Sequence, residues 1–364
     1  MGNLQASVKM ERNLKVDFDE EIQRHLALVG LTNLHSHSVN VRNSNNHRLQ
    51  AAGTTPIFSS KVKNSLSDPK HDRPLFPIYG HLGLRLSTYK DGGETNEVRC
   101  QDNLVYANVN APWSAFICGS QGAGKSHTLS CLLENALLSD GHLGPNPNPL
   151  AGIVFHYDKH SGQPAAQICE AAYLASKGIQ VEVFVSPSNW WAMKKLYQLP
   201  GIAADRQPIV RPLLLQDGQI NIGNMRTLMN LDSQDGKVPL YMAVVNKILK
   251  EMAIARKGAP GINYPKFQSK LKKAKLNPTQ SEHLEMRLQL LESFLHRAAI
   301  PEFKNLPGEG FEPKAGSLTV VDLSCPFVSD SDACMLFSIC LGLFLGSRSD
   351  HGLVIALDEA HKVS

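Results

Sequence analysis

The sequence predicts an α/β fold in which a mostly parallel sheet is flanked by helices and interrupted by a helical insertion. Two observations predict this architecture. Apolar runs of strand length alternate with helix-length segments in both halves of the 364-residue chain. The alternation stops between about residues 196 and 313 and then resumes. Because a strand, a helix and a further strand in succession form a βαβ unit, the alternation favours parallel strands.

The predicted elements follow in order along the chain. Residues 77–110 contain short β-prone pieces between Gly- and Asp-containing turns, which indicate a small β lead-in. The predicted elements that follow are the strand 115–118, the helix 125–138, the strand 152–158, a helix near 163–176 and the strand 181–185. In the insertion we predict helices near 238–257 and 278–299, joined by a Gly/Pro/Lys-rich connection. The strand 317–323, the apolar helix 331–347 and the strand 353–357 complete the pattern.

These elements predict four parts of the chain. Residues 1–75 form a disordered or weakly ordered tail, because the Asn-, Ser- and His-rich stretch 32–56 offers little apolar surface to bury. Residues 76–195 hold the lead-in and the first half of the sheet domain, and residues 196–313 the mostly helical insertion. Residues 314–364 hold the second half of that domain.

The composition points to no membrane partner and to no strong charge field. The chain has 42% hydrophobic and 19% charged residues and a formal net charge of +4. Its seven cysteines contain no CxxC pair and lie mostly in apolar runs, which favours a reducing, intracellular environment, cytoplasmic or nuclear. The most apolar segment, residues 333–346, is shorter than the roughly 20 residues that span a bilayer.

The strongest motif is Gly119-Ser120-Gln121-Gly122-Ala123-Gly124-Lys125-Ser126, which fits the Walker A pattern GxxxxGK[ST] between a predicted strand and a predicted helix. Its glycines let the loop fold backbone N–H groups around a β-phosphate. The following helix presents its positive end to the same anion. We expect Lys125 to reach the β- and γ-phosphates and Ser126 to place its hydroxyl on Mg²⁺. The predicted nucleotide-binding residues run from Gly119 to His127.

A second motif follows the last predicted strand, where Asp358 and Glu359 stand side by side as in a Walker B strand. Asp358 is expected to hold Mg²⁺ through water, and Glu359 to polarise the attacking water as a catalytic residue beside Lys125. Acidic residues are common at strand ends, so this pair indicates a nucleotide site only in combination with the P-loop. Together the motifs predict a RecA-like P-loop NTPase that uses ATP and Mg²⁺.

Two related nucleotide-binding classes fit less well. Nucleotide kinases need no water-activating Glu beside the acidic strand end. GTPases need Asn-Lys-x-Asp to recognise guanine, and the nearest match, Asn246-Lys247-Ile248-Leu249, lacks the Asp. ATP is therefore the expected nucleotide.

The order of motifs resembles the HerA/FtsK-like DNA-translocase ATPases over roughly residues 75–364. The resemblance rests on the P-loop, Phe155-His156-Tyr157-Asp158, Val321-Asp322-Leu323-Ser324 and Leu357-Asp358-Glu359-Ala360-His361-Lys362. Only the P-loop and the Asp-Glu pair are specific. The resemblance implies a homo-oligomeric ring on DNA. It also assigns the functional roles of the family's motif residues to Lys125, Ser126, Asp358 and Glu359. The roles that it assigns to Asp158 and Asp322 have weaker support, since an Asp at a strand end is often a turn or cap residue.

The Asp-Glu-Ala-His tetrad invites comparison with DEAH-box helicases. Lys125 and Asp358 are 233 positions apart, which fits a long insertion better than the compact first domain of those helicases. The sequence shows no second helicase domain after the tetrad, and this comparison is therefore rejected.

Two functions stay open, an ATPase that acts on DNA and a nucleotide-dependent switch or scaffold with little or no hydrolysis. From Lys247 to Lys275 there are nine Lys or Arg residues and one acid, Glu251, which fits either a phosphate-contacting stripe or a solvated basic face. The sequence stops at Ser364, five positions after Glu359. Further strands, a γ-phosphate sensor and a neighbouring subunit's Arg are normal in this class. We therefore expect the chain to expose a sheet edge and to bind ATP better than it hydrolyses it.

Overall fold

The computed structural model describes residues 24, 53–66, 76, 79–84, 103–139, 142–144, 146–158, 167–216, 218–228, 240–257, 261–274, 276, 278–295, 312–347 and 351–360. They belong to two compact units, Met1–Pro149 and Leu150–Ser364. Most of the predicted tail, including nearly all of the stretch 32–56, lies outside the described residues.

The first unit contains a three-stranded antiparallel sheet. Its strands are β1 (Ile57–Ser59), β2 (Tyr79–Leu84) and β3 (Leu104–Asn108), in the order β1-β3-β2. Phe58 stacks on Phe76, with ring centroids 3.8 Å apart, and both side chains are buried. The unit also contains the helices α1 (Ser60–Leu66) and α2 (Lys125–Leu137). Strands β2 and β3 lie in the predicted β lead-in, and α2 confirms the helix predicted after the P-loop. Strand β1 and helix α1, in contrast, lie within residues 1–75, the part predicted as a disordered or weakly ordered tail.

Helix α2 is held at its C-terminal end by two asparagines. The Asn135 side-chain amide donates to the His81 carbonyl oxygen of β2 at 3.0 Å. The Asn146 amide donates to three carbonyl oxygens at the end of the helix, those of Asn135, Ala136 and Leu138, at 3.0–3.2 Å. These bonds satisfy acceptors that every helix end leaves without intrahelical partners. The opposite end of α2, where the P-loop lies, remains at the surface.

The prediction of a strand at residues 115–118 is wrong. Residues 112–119 have no regular secondary structure, and the Phe116 side chain is 88% exposed. A four-residue apolar run becomes a strand only when a partner strand pairs with it, and its composition does not specify that partner. In the described part of this unit, β1, β2 and β3 form their sheet without it.

The second unit contains a five-stranded sheet in which every neighbouring pair is parallel. Its strands are β4 (Ala151–His156), β5 (Gln180–Val185), β6 (Ile209–Pro212), β7 (Ser317–Asp322) and β8 (Leu353–Leu357), in the order β6-β5-β7-β4-β8. This sheet confirms the predicted α/β class and places β8 at one edge. The apolar side chains of Ile355 and Leu357 on β8 are 41% and 57% exposed.

Helices flank this sheet. They are α3 (Trp190–Leu196), α4 (Ile222–Leu228), α5 (Leu240–Arg256), α6 (Tyr264–Lys272), α7 (Pro278–Ser293) and α8 (Asp330–Gly346), together with a 3₁₀ helix at Glu170–Lys177. Alternate residues of β4, Ile153 and Phe155 among them, join one buried core with residues of α5, α7 and α8. The rings of Phe155 and Phe337 lie 5.0 Å apart in that core. Since strand side chains alternate between faces, the neighbouring residue His156 points to the other face.

The region predicted as the insertion contains three elements that we did not predict, strand β6 and helices α4 and α6. Strand β6 extends the parallel sheet, and α6 occupies the Gly/Pro/Lys-rich connection. Asn263 caps α6 by accepting a hydrogen bond from the Lys266 backbone N–H at 2.9 Å. None of the helices among the described residues has both the length and the apolar character that crossing a membrane requires.

Candidate functional site

The predicted P-loop lies in the first unit and adopts a glycine-dependent conformation. Gly122 and Gly124 have φ angles of +77° and +80°, in the left-handed region. A Cβ at either position would meet nothing within 4 Å, so the backbone conformation, and not space, favours glycine there. The Ala123 N–H donates to the Ser120 carbonyl oxygen at 3.1 Å and tightens the loop.

The N-terminal end of α2 follows this loop directly. Its N-cap, Gly124, makes no side-chain capping bond, and the first turn contains no acidic residue. The positive end of the helix dipole is therefore not neutralised by an acidic side chain of its own first turn. This arrangement suits an anion from outside.

The polar side chains of the motif lie close to the loop. The Lys125 ammonium donates to the Ser120 carbonyl oxygen at 3.2 Å. Ser126 is half-buried on the first turn, and His127 is exposed, with its Nε2 3.7 Å from the Sγ of Cys131. The predicted residues 119–127 therefore form one contiguous surface feature, and Lys125 can turn from Ser120 to a phosphate oxygen without breaking a buried contact.

The second group of predicted residues lies at the carboxyl edge of the parallel sheet in the other unit. Strand β4 ends at His156, which pairs in register with Asp322 at the end of β7. Asp358 directly follows β8, and its N–H donates to the Phe155 carbonyl oxygen at 2.9 Å. Ligands of open α/β sheets bind at this edge because the loops that follow the strands meet there.

His156 forms an ion pair with the predicted magnesium residue. Its Nδ1 lies 3.2 Å from Oδ2 of Asp358, and its Nε2 lies 3.2 Å from the Gln167 carbonyl oxygen. Burial by itself lowers the pKa of this imidazole. The charges of Asp322 and Asp358 and the bonds to Asp358 and Gln167 outweigh it and raise the pKa of His156 to about 9. The imidazole is therefore a cation at neutral pH in this arrangement.

Both carboxylate oxygens of Asp322 accept hydrogen bonds from neighbouring groups of the fold. Its Oδ2 accepts a 2.6 Å hydrogen bond from the Tyr197 hydroxyl, and its Oδ1 accepts the Ser324 N–H at 2.9 Å. The second bond is the local pattern of an Asp that stabilises its own turn. Burial and the Asp322 charge raise the pKa of Tyr197, which stays a donor. Asp158 is buried, and its N–H donates to the Ser324 hydroxyl at 2.8 Å.

Glu359 has an unusual backbone. Its φ is +56°, a left-handed conformation that costs a residue with a Cβ about 1 kcal/mol or more. Lys257, the other non-glycine residue with positive φ in the described ranges, follows helix α5, where a left-handed residue is common. Backbone strain is often found at functional positions, and the role predicted for Glu359 stays a prediction.

Three residues of this edge were not predicted as site residues. His156 stands in the strand end that carries the family resemblance, but the resemblance assigns the functional role there to Asp158. Cys169 and Tyr197 lie on segments that follow β4 and β5, and their positions in the sequence carry no signal. The Tyr197 hydroxyl accepts a hydrogen bond from the Cys169 N–H at 3.2 Å.

The basic segment 247–275 lies on α5, α6 and the turns beside them. Lys272 and Lys273 are exposed, whereas the Lys270 ammonium lies 2.7 Å from the carboxylate of Glu251 and lowers the pKa of that acid. Tyr264 and Phe267 are buried, so they cannot stack on bases. Lys275 lies outside the described residues.

The sequence matches no protein-family model and no curated protein. The resemblance to the HerA/FtsK-like ATPases therefore rests on the motifs themselves.

Proposed function

We propose that this chain is an ATP-binding protein of the RecA-like P-loop NTPase class. The observation that carries the proposal is the loop 119–126, whose glycines take left-handed conformations directly ahead of a helix without an acidic cap. Backbone N–H groups, an ammonium and a hydroxyl are the donor set that a Mg²⁺-triphosphate requires. The residues present therefore fit the ligand.

Each polar residue of the loop has a role in this proposal. Lys125 leaves the Ser120 carbonyl oxygen and donates to the β- and γ-phosphates. Ser126 offers its hydroxyl oxygen to Mg²⁺, a cation that prefers oxygen ligands. The bound ion neutralises charge on the phosphates. Asp358 and Glu359 enter the proposal through their place in the sequence, Asp358 as the metal-orienting carboxylate and Glu359 as the acceptor of a proton from water.

The finer proposal is an ATPase that acts on DNA, as the resemblance to the HerA/FtsK-like family implies. The exposed lysines 266, 272 and 273 support it, because they can contact phosphates without losing a buried partner. A ring of identical subunits belongs to the same proposal and rests on the resemblance alone.

One observation favours the alternative, a nucleotide-dependent switch with little hydrolysis. The Asp358 carboxylate is paired with His156, and the pair is almost wholly buried. A carboxylate held by a cation binds metal less readily, so the pair has to open before Asp358 can act on Mg²⁺.

Phosphate release from ATP separates these functions when it is measured with and without duplex DNA. A DNA-acting ATPase releases phosphate in a DNA-stimulated manner that Lys125→Ala abolishes. A switch binds ATP and releases almost no phosphate under either condition. A chain that neither binds nor hydrolyses ATP contradicts the proposal as a whole.

A further inference from the structure

Three metal-ligating side chains converge at the carboxyl edge of the parallel sheet. The ligand atoms of His156, Cys169 and Asp358 all lie within 4.8 Å of one another. His156 and Cys169 are buried, and the Asp358 side chain keeps 11% of its surface exposed. The three residues come from strand β4, from the segment after it and from the end of β8, so the fold and not the local sequence brings them together.

The spacing of two of these ligands suits a tetrahedral ion. Nδ1 of His156 and Oδ2 of Asp358 are 3.2 Å apart. Around a zinc ion with metal–ligand bonds of about 2.0 Å, neighbouring tetrahedral ligand atoms lie about 3.3 Å apart. An ion can therefore replace the proton between these two atoms with little movement of either side chain. The thiol of Cys169 supplies a third, softer donor, which zinc and cobalt accept and Mg²⁺ does not.

Outer contacts already orient two of these ligands. The carbonyl oxygen of Gln167 can only accept, so it holds the hydrogen on Nε2 of His156 and leaves Nδ1 to bind metal. This is the usual arrangement of a metal-bound histidine. The chain then brings Cys169 to the cluster two residues later. Its N–H donates to the Tyr197 hydroxyl, which in turn donates to Asp322.

The local charge favours a cation. Asp322 adds a second buried carboxylate to the surroundings of His156, although both of its oxygens already accept hydrogen bonds. Asp322 therefore contributes charge and not a ligand. The Asp358 side chain keeps 11% of its surface exposed, so it is the ligand of the three that solvent reaches.

We propose that His156, Cys169 and Asp358 form a three-ligand site for a zinc-class divalent ion, with water as the fourth ligand. Binding displaces the protons of His156 Nδ1 and Cys169 Sγ to solvent, and no redox change accompanies it. The site binds its ion without a nucleotide, so this proposal does not depend on the P-loop. While that ion is bound Asp358 is its ligand, so the Mg²⁺ role proposed for Asp358 applies to the chain without it.

A cobalt titration tests the site, since Co²⁺ takes zinc's place and its bond to a thiolate absorbs in the near ultraviolet. The full chain is reduced, treated with a chelator, freed of it and titrated with Co²⁺ in the absence of ATP. We expect one equivalent to give a thiolate-to-cobalt band together with the visible bands of a tetrahedral ion, and Zn²⁺ to remove both. Cys169→Ser should abolish the charge-transfer band. Cys340→Ala, which alters another fully buried cysteine, should retain it.

Asp358→Asn provides a second variant, because its side chain is partly exposed and the change preserves its shape. It should weaken Co²⁺ binding at least about tenfold, the loss that even outer-shell partners of a metal can cause. X-ray absorption of the zinc-loaded wild type needs no variant and should show one sulfur among four ligands. A sulfur-free or multi-sulfur shell, or a cobalt band that persists in folded Cys169→Ser, overturns the proposal. ATP binding can succeed or fail independently of each of these results.

Discussion

Nδ1 of His156 lies 3.2 Å from Oδ2 of Asp358, which joins two residues 202 positions apart across the ends of strands β4 and β8. The imidazole forms an ion pair with the carboxylate that the sequence predicted as the magnesium residue. In the absence of metal, this pair should contribute to the stability of the second unit in a pH-dependent way.

The first prediction concerns that pH dependence. The folded-state pKa of His156 is about 9, above the ordinary value of 6.5. Folding therefore favours the protonated imidazole, and its stabilisation is complete below pH 6.5 and lost as the pH rises through 9. The free energy of unfolding should fall by on the order of 3 kcal/mol across this window. Urea unfolding with a chelator present measures it. The fall should vanish in His156→Gln and persist in His127→Gln, which alters an exposed histidine. An equal fall in His156→Gln would mean that another group titrates.

The second prediction concerns the backbone of the P-loop. Gly124→Ala adds a methyl group that meets no atom within 4 Å but forces alanine into φ = +80°. We expect ATP affinity to fall by about tenfold or more, because the left-handed residue costs about 1–2 kcal/mol and the N–H groups then turn away from the phosphate. Gly201→Ala is the matched control, since Gly201 has the same φ and equally open surroundings. ATP titration of both variants distinguishes a loss of affinity caused at the loop from one caused by general backbone strain. Equal ATP affinities in the two variants would contradict this interpretation of the loop.

The third prediction concerns the two adjacent carboxylates. Glu359→Gln should retain ATP binding and reduce any hydrolysis by about 10²-fold or more, because it removes the proton acceptor and preserves the shape of the side chain. Asp358→Asn should instead raise the Mg²⁺ concentration that half-maximal hydrolysis requires. Single-turnover hydrolysis over a Mg²⁺ series measures both effects, with Glu170→Gln as a control for an exposed acid. An unchanged rate in Glu359→Gln would show that the base has been assigned to the wrong residue.

The fourth prediction concerns DNA and the basic face of α6. Lys272→Ala combined with Lys273→Ala should reduce the slope of log affinity against log salt by about two units, roughly 0.9 for each lost phosphate contact. Lys270→Ala should have a smaller effect, since Glu251 already holds that ammonium. Fluorescence anisotropy with duplex DNA at several salt concentrations measures the slopes. The pair Lys177→Ala and Lys195→Ala, exposed lysines elsewhere, controls for net charge. Identical slopes in all variants would leave the segment as a solvated basic face.

The sequence predicted those elements whose formation depends on local pattern. Helix α2 and strand β4 appeared within one or two residues of their predicted bounds, because a glycine-rich start and a continuous apolar run specify them locally. Helix α6 could have been predicted as well. Asn263 as N-cap, Pro265 in the first turn and apolar residues at 264, 267 and 271 are ordinary helix signals. The high lysine content of the connection masked them.

The failures share a dependence on distant partners. Residues 115–118 have a strand's composition, but pairing decides whether such a run becomes a strand. The contact between His156 and Asp358 spans 202 positions, and the approach of Cys169 depends on the path of the segment after β4. No local pattern encodes either contact. The glycine-dependent conformation of the loop 119–126 could be predicted because its residues all belong to one short stretch of chain.

ATP binding by the P-loop is the central claim, and equilibrium titration of purified, monodisperse protein with a fluorescent ATP analogue in Mg²⁺ tests it most directly. The wild type should bind at one site, and Lys125→Ala should bind about 10- to 150-fold more weakly, since each hydrogen bond from a charged donor is worth about 1.5–3 kcal/mol. Lys195→Ala, an exposed lysine on α3, should bind as the wild type does. Equal affinity of the wild type and Lys125→Ala, or no binding by either, would contradict the account.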